Sequence, residues 1–146
     1  MWLEIILYTF GYSILDIWLN KLHVKGIYYI LHAFTNLFII YECTSGVIKC
    51  YTQFTNDVEY PLPYQSIYTT IGLHNYHILF YKNKFTIDEW LHHILMIGCI
   101  IPLILSINKG GLIIQHAMFY ITGLPGFINY LLLFMNRNHF YITKNM

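Results

Sequence analysis

The segment from Asp88 to Leu105, DEWLHHILMIGCIIPLIL, places two adjacent histidines in an otherwise apolar stretch. His92 and His93 lie one to two helical turns inside it, one turn after the carboxylates of Asp88 and Glu89. Ionisable groups are costly in a membrane span, so they usually face the bundle interior and mark a functional site. The pair therefore predicts acid–base chemistry or binding of a polar head group. The carboxylates would orient the histidines or, alternatively, stabilise the start of the helix.

The composition indicates a membrane protein. The 146 residues are 57% hydrophobic and 10% charged, with 14 Tyr and 10 Phe, whereas a soluble domain carries about 25% charged residues. The net charge of +1 gives no indication of nucleic-acid binding. The three cysteines form no CxxC pair and no even set, so they predict apolar or free thiol side chains and no disulfide framework.

Five segments are long and apolar enough for the roughly 20 residues that a membrane span needs. They run from about 2 to 19, 26 to 48, 62 to 81, 87 to 107 and 112 to 135. The first is the weakest candidate, because Glu4 and Asp16 lie near its ends. Pro102 and Pro125 lie inside spans and predict kinks. The fold class is therefore all-α, a polytopic membrane helix bundle of about five transmembrane helices in a single domain over 1–146.

Lysine and arginine in the connecting segments predict the orientation. Six of these residues fall on one side of the expected bundle and two on the other. The larger set comprises Lys21, Lys25, Lys82, Lys84, Arg137 and Lys144, and the smaller one Lys49 and Lys109. Because positive residues concentrate on the cytoplasmic side, the C-terminus is expected in the cytoplasm and the N-terminus outside or in a lumen.

A rise of about 1.5 Å per residue converts sequence position into depth. Five of the eight histidines then fall in one slab, roughly 8–10 Å from the cytoplasmic face. They are His32, His74, His77, His92 and His93, with Asn36 one turn deeper and Asn129 near the end of the fifth span. We expect these residues to bind lipid or support the site; packing of helices through interhelical hydrogen bonds is the alternative. His116 enters from the opposite side and is expected to lie apart.

Three segments resemble the TLC-domain family, multispanning membrane proteins that include the ceramide synthases. DEWLHHILMIG is similar to the family's di-histidine helix, and SIYTTIGLHNYHILFYKNKF to the span and basic loop before it. HAMFYITGLPGFINYLLLFM resembles the small-and-proline helix of the non-synthase members. The resemblance covers roughly Asn36 to Phe140, and only His92 and His93 correspond residue by residue. It departs from the synthases because no Asp or Glu follows Glu89, and the missing later spans suggest a shortened member or a fragment.

The resemblance implies a protein that binds, senses or moves membrane lipids, in the endoplasmic reticulum or another internal membrane, without a cofactor. One alternative is a ceramide-synthase-type N-acyltransferase, with acyl-CoA as substrate and His92 or His93 as general base. A second is an iron- or zinc-dependent lipid hydroxylase or hydrolase, in which the five clustered histidines would be ligands. The remaining alternative is a purely structural bundle. Membrane lipids are the expected partners, and a homo-oligomer is expected as well.

Overall fold

The computed structural model describes residues 1–53, 60–107 and 109–138. These residues form helices and short connections, with no strand among them, so the predicted all-α class is confirmed. The helices are α1 (Trp2–Lys21), α2 (Ile27–Gln53), α3 (Tyr64–Tyr81), α4 (Ile87–His93), α5 (Ile101–Ile107), α6 (Gly111–Ala117) and α7 (Leu124–Arg137). A first π-helix (Ile94–Ile100) joins α4 to α5, and a second (Met118–Gly123) joins α6 to α7. Residues 54–59, 108 and 139–146, which include Lys144, lie outside the described residues.

The elements form five long rods in the described part of the chain. Three are α1, α2 and α3, the fourth rod is α4 to α5, and the fifth rod is α6 to α7. Their bounds follow the five expected segments closely, and the largest difference is at the end of α2. This helix continues to Gln53, where the sequence predicted an end near Ile48.

Each π-helix ends just before a proline. Pro102 follows the first π-helix by two residues, and Pro125 follows the second by two. Proline has no backbone N–H, so it cannot bond to the carbonyl four residues earlier, which is that of Gly98 or Ile121. Wider turns in this part of the helix keep the backbone helical up to and past the proline. Such π-helical turns often accompany functional sites.

Within residues 1–53, 60–107 and 109–138, three helices are long and apolar enough to cross a membrane, which is consistent with an integral membrane protein. They are Trp2–Lys21, Ile87–Ser106 and Gly111–Arg137. The first was the weakest candidate from sequence, and its structure explains why Asp16 is tolerated. The Asp16 carboxylate is buried and accepts hydrogen bonds from the hydroxyl of Tyr81 at 2.9 Å and the amide of Asn20 at 3.2 Å. Large apolar side chains cover the outside, with Ile87 86% and Ile121 75% exposed.

The start of α3 is held by a side chain of another helix. Glu42 of α2 accepts hydrogen bonds from the backbone N–H groups of Gln65, at 3.3 Å, and Ser66, and also from the Ser66 hydroxyl. Pro63, which precedes the helix, provides no side-chain cap. The carboxylate therefore satisfies amides that a helix N-terminus otherwise leaves unpaired.

Helix α1 packs closely on α3 at Gly72. A β-carbon at Gly72 would lie 2.5 Å from Cβ of Tyr8 and 3.1 Å from the backbone nitrogen of Thr9. Close approach of backbones at small residues is a common way for helices to associate in membranes. The glycine is therefore part of the α1–α3 interface.

We expect Gly72→Ala to destabilise the protein by about 1–3 kcal/mol, because the added methyl group must push α1 away from α3. The matched control is Gly11→Ala in α1, where an added β-carbon meets nothing within 4 Å. That change should stabilise the helix by about 0.5–1 kcal/mol. Thermal unfolding in detergent micelles measures both. Equal unfolding temperatures for the two variants would contradict the close approach at Gly72.

The fourth rod packs less closely than the others. Helix α2 lies against α3, α6, α7 and the second π-helix, and α1 lies against α3, whereas the fourth rod has few close backbone contacts with other rods. It is attached by side chains: Ile101 is buried with Ile5, Ile67 and Ile71. The space that this looser packing leaves beside α2 and α3 contains the candidate site.

Candidate functional site

Five histidines from three helices form one cluster. The rings of His32 and His77 stack with centroids 4.4 Å apart. The centroid of His74 lies 5.1 Å from that of His92 and 4.8 Å from that of His93. The structure thus brings together the five histidines that the sequence placed at one depth.

The backbone fixes the tautomers of three of these rings. In His32, His74 and His93, Nδ1 lies 2.7–2.8 Å from the carbonyl oxygen four residues earlier in the same helix. A carbonyl only accepts hydrogen bonds, so Nδ1 must carry the proton of each neutral ring. The Nε2 atom of each then has a lone pair and acts as an acceptor.

His74 in turn orients His92. The two Nε2 atoms lie 3.1 Å apart. Because Nε2 of His74 is an acceptor, Nε2 of His92 must donate its proton in this contact. The neutral His92 ring therefore has its lone pair on Nδ1. This nitrogen is the one that can accept a proton or a hydrogen bond.

The two adjacent histidines have different surroundings. His92 is exposed and lines a cavity, whereas His93 is 3% exposed and lies behind it, with its ring centroid 4.5 Å from that of Phe85. His77 is fully buried next to it. Nε2 of His93 and both ring nitrogens of His77 have no hydrogen-bond partner within the described chain. Of the predicted pair, only His92 is placed to meet a ligand in the cavity.

The cavity has a volume of about 390 Å³ and is lined by α2, α3, the fourth rod and the fifth rod. Its lining changes character along its length. On α2 the lining residues extend from His32 at the polar end to Ile39 at the apolar end, two turns later. On α3 the order is reversed, with Ile67 at the apolar end and His74 at the polar end. The polar end is formed by His32, Asn36, His74, His92 and Tyr130, and the apolar end by Ile39, Ile67, Ile100, Ile104, Met118 and Ile121. Both π-helices contribute to the apolar end.

The fifth rod contributes a residue that the sequence did not single out. Tyr130 lines the cavity and stacks on His32, with centroids 4.2 Å apart and an angle of 26° between the rings. The predicted Asn129 is exposed and is not part of the lining. With 14 tyrosines in the chain, no sequence signal distinguishes Tyr130 from the others. The predicted Asn36 does line the cavity, and its amide lies against Gly126.

The two carboxylates before the histidine pair lie at the start of α4. The Glu89 carboxylate accepts hydrogen bonds from the backbone N–H of Thr86, at 2.7 Å, and from its hydroxyl, which in turn accepts from the backbone N–H of Glu89. This reciprocal arrangement is a capping box. It is the backbone carbonyl of Glu89, not its carboxylate, that orients His93. Asp88 is exposed in the first turn of the helix. Of the two roles predicted for Glu89, the structure therefore shows stabilisation of the start of the helix.

His116 lies apart from the cluster, as its position in the sequence predicted. Its Nε2 atom is 3.1 Å from the hydroxyl of Tyr51, near the opposite end of α2 from His32. It is not among the residues that line the cavity.

The cavity carries no fixed charge. Its lining, all within the described part of the chain, includes no Asp, Glu, Lys or Arg. Although the five histidine rings lie close together, no group of three or more His, Cys, Asp or Glu side chains within residues 1–53, 60–107 and 109–138 is arranged so that it could hold a metal ion. The geometry therefore lends no support to the metal-dependent hydroxylase or hydrolase alternative.

The chain matches no protein-family model, no curated protein and no solved structure. The resemblance to the TLC-domain family therefore stays a prediction, and the function has to be argued from the cavity and its histidines.

Proposed function

We propose that this chain is a multi-pass membrane protein of the TLC type that binds and handles a membrane lipid in the cavity. The observation that carries the proposal is the lining of the cavity, which has histidines and Tyr130 at one end and mostly apolar side chains over the rest. A lipid has the same division between head and chain. An acyl chain against Ile39, Ile67 and Ile104 would exchange its contacts with other bilayer lipids for packing contacts with these side chains, while its head group reaches the polar end.

The proposed topology has five spans, with the N-terminus outside or in a lumen and the C-terminus in the cytoplasm. Helices α2 and α3 would cross with their polar residues turned inward, while the three more apolar rods face lipid. Two observations support the grouping of basic residues at one end of the bundle. Lys84 and Arg137 line one pocket with Gly26. The side-chain amide of Asn138 donates a hydrogen bond to the carbonyl of Lys25 at 2.8 Å. The positive residues favour the cytoplasmic side for this end. An internal membrane such as the endoplasmic reticulum is proposed from the family resemblance alone.

We expect the purified protein to retain a lipid, and a side chain that fills the cavity to expel it. Ala117 lines the cavity, so Ala117→Phe places a ring where the chain would lie. Leu132→Phe is the matched control, because Leu132 belongs to the same rod, is exposed and is not part of the lining. Native mass spectrometry from detergent compares the lipid-bound fractions. The proposal fails if the wild type carries no lipid, or if both variants retain it equally.

A second candidate is acyl transfer, and the orientation of His92 favours it. Nδ1 of His92 has the lone pair of a general base, because Nε2 donates to His74. It would accept the proton of an amine or hydroxyl while that group attacks the thioester carbonyl of acyl-CoA and the CoA thiolate leaves. Turnover of acyl-CoA by purified protein, abolished by His92→Ala, would establish this activity. Lipid binding without turnover would leave the first proposal.

A further inference from the structure

We propose that the lipid in the cavity is uncharged, has a single chain and carries a hydroxyl head group, as a long-chain alcohol does. This inference rests on the proposed function and narrows its ligand class. It combines the hydrogen-bonding state of the histidines with the absence of charge from the cavity lining.

The histidines at the polar end offer acceptors. His32 and His74 each donate Nδ1–H to their own helix, so their Nε2 atoms have lone pairs. The lone pair on Nε2 of His74 accepts a hydrogen bond from Nε2 of His92, so the lone pair of His92 is on Nδ1. His32 and His92, which both line this end of the cavity, thus each have one nitrogen acceptor. A hydroxyl group donates a hydrogen bond and also accepts one, so it fits such a site next to the amide of Asn36.

The absence of charge argues against ionic head groups. A phosphate or carboxylate would find no Lys or Arg in the lining, and an ammonium would find no Asp or Glu. An ion that is taken from water into such a site without an opposite charge pays a large desolvation cost. Protonation of a histidine would be needed to compensate an anion. An uncharged head group avoids both requirements.

The size and position of the cavity favour one chain. Its volume of about 390 Å³ lies near the lower limit of the roughly 300–1,000 Å³ of small-molecule sites. Two of its apolar lining residues, Ile100 and Ile121, are also exposed on the outer surface of the fourth and fifth rods. An uncharged lipid that is already dissolved in the bilayer would enter between these rods, where the packing is loosest.

The test uses the purified wild-type protein in detergent and three ligands of equal chain length: hexadecanol, hexadecylamine and palmitate. Native mass spectrometry measures the bound fraction at matched ligand concentrations. We expect hexadecanol to bind at least threefold more tightly than the others. Tighter or equal binding of hexadecylamine or palmitate would overturn this inference and leave the proposed lipid site intact. Binding of none of the three would overturn both.

A variant tests the acceptor at the polar end. His32→Phe keeps a ring to stack on Tyr130 and His77 but removes Nε2. We expect affinity for hexadecanol to fall about threefold to tenfold, the effect of one hydrogen bond. His116→Phe is the control, because His116 lies outside the cavity, and it should bind hexadecanol as the wild type does. Unchanged affinity for hexadecanol in a folded His32→Phe variant would overturn the inference.

Discussion

We expect His92→Ala to reduce the effect of this protein on cellular lipids while the protein stays folded, and His93→Ala to destabilise it. The two residues are neighbours in sequence, but His92 is exposed and lines the cavity whereas His93 is 3% exposed. Substitution of an exposed side chain usually changes stability little, and loss of the hydrogen bond to His74 should add a cost of about 0.5–1.5 kcal/mol. Lipid analysis of cells that express each variant at equal membrane level, with thermal unfolding of the purified proteins, separates the two effects.

The expected loss in His93→Ala is about 2–4 kcal/mol, because truncation leaves a void against Phe85 and His74. His93→Phe is the control. It fills the volume and removes the unpartnered Nε2 atom, so it should recover most of the lost stability. If the phenylalanine variant unfolds as readily as the alanine variant, packing is not what His93 contributes.

The size of the effect in His92→Ala distinguishes the two candidate functions. Loss of a hydrogen bond to a bound lipid weakens binding about threefold to tenfold. Loss of a general base slows a reaction by about 10²-fold or more. A lipid profile that is the same in wild type and His92→Ala, with both proteins inserted and folded, would contradict both functions. His92 would then be a packing residue.

The common level of the histidines in the bundle could be predicted from the sequence, but the direction of each side chain could not. A constant rise per residue places His32, His74 and His92 at one level whichever way each helix is rotated. Rotation about the axis is decided by packing against several neighbours at once. In a membrane the hydrophobic pattern gives little help, because lipid is as apolar as the protein interior. The sequence therefore could not tell that His92 lines the cavity while His93 lies behind it.

The π-helices explain the difference between Asn129 and Tyr130. A wider turn changes the direction of every following side chain relative to a regular helix. The second π-helix ends at Gly123, one and a half turns before Asn129. Residues beyond it no longer follow the regular spacing from which a lining position would be inferred. Pro125 indicates a local irregularity, but it does not say how the helix accommodates it.

Glu42 shows another limit of the sequence. An ionisable residue within a membrane-length helix is usually interpreted as functional, but the Glu42 carboxylate is occupied by the start of α3. Its partners lie more than twenty residues away in the chain, so no short motif connects them. By contrast, the cap of α4 by Thr86 and Glu89 has a local spacing that is visible in the sequence. The difference is one of distance along the chain, since both carboxylates cap a helix.

We expect Glu42→Ala to lower the free energy of unfolding by about 2–4 kcal/mol, because two amides and the fully buried Ser66 hydroxyl lose a charged acceptor. Glu42→Gln keeps an acceptor oxygen but loses the charge at the helix terminus, so its cost should be about 1 kcal/mol. Ser66→Ala leaves the amide bonds in place and should cost about 1 kcal/mol as well. Chemical unfolding in mixed micelles measures the three variants. A similar loss in Glu42→Gln and Glu42→Ala would mean that the charge, and not the hydrogen-bond acceptor, holds α3 against α2.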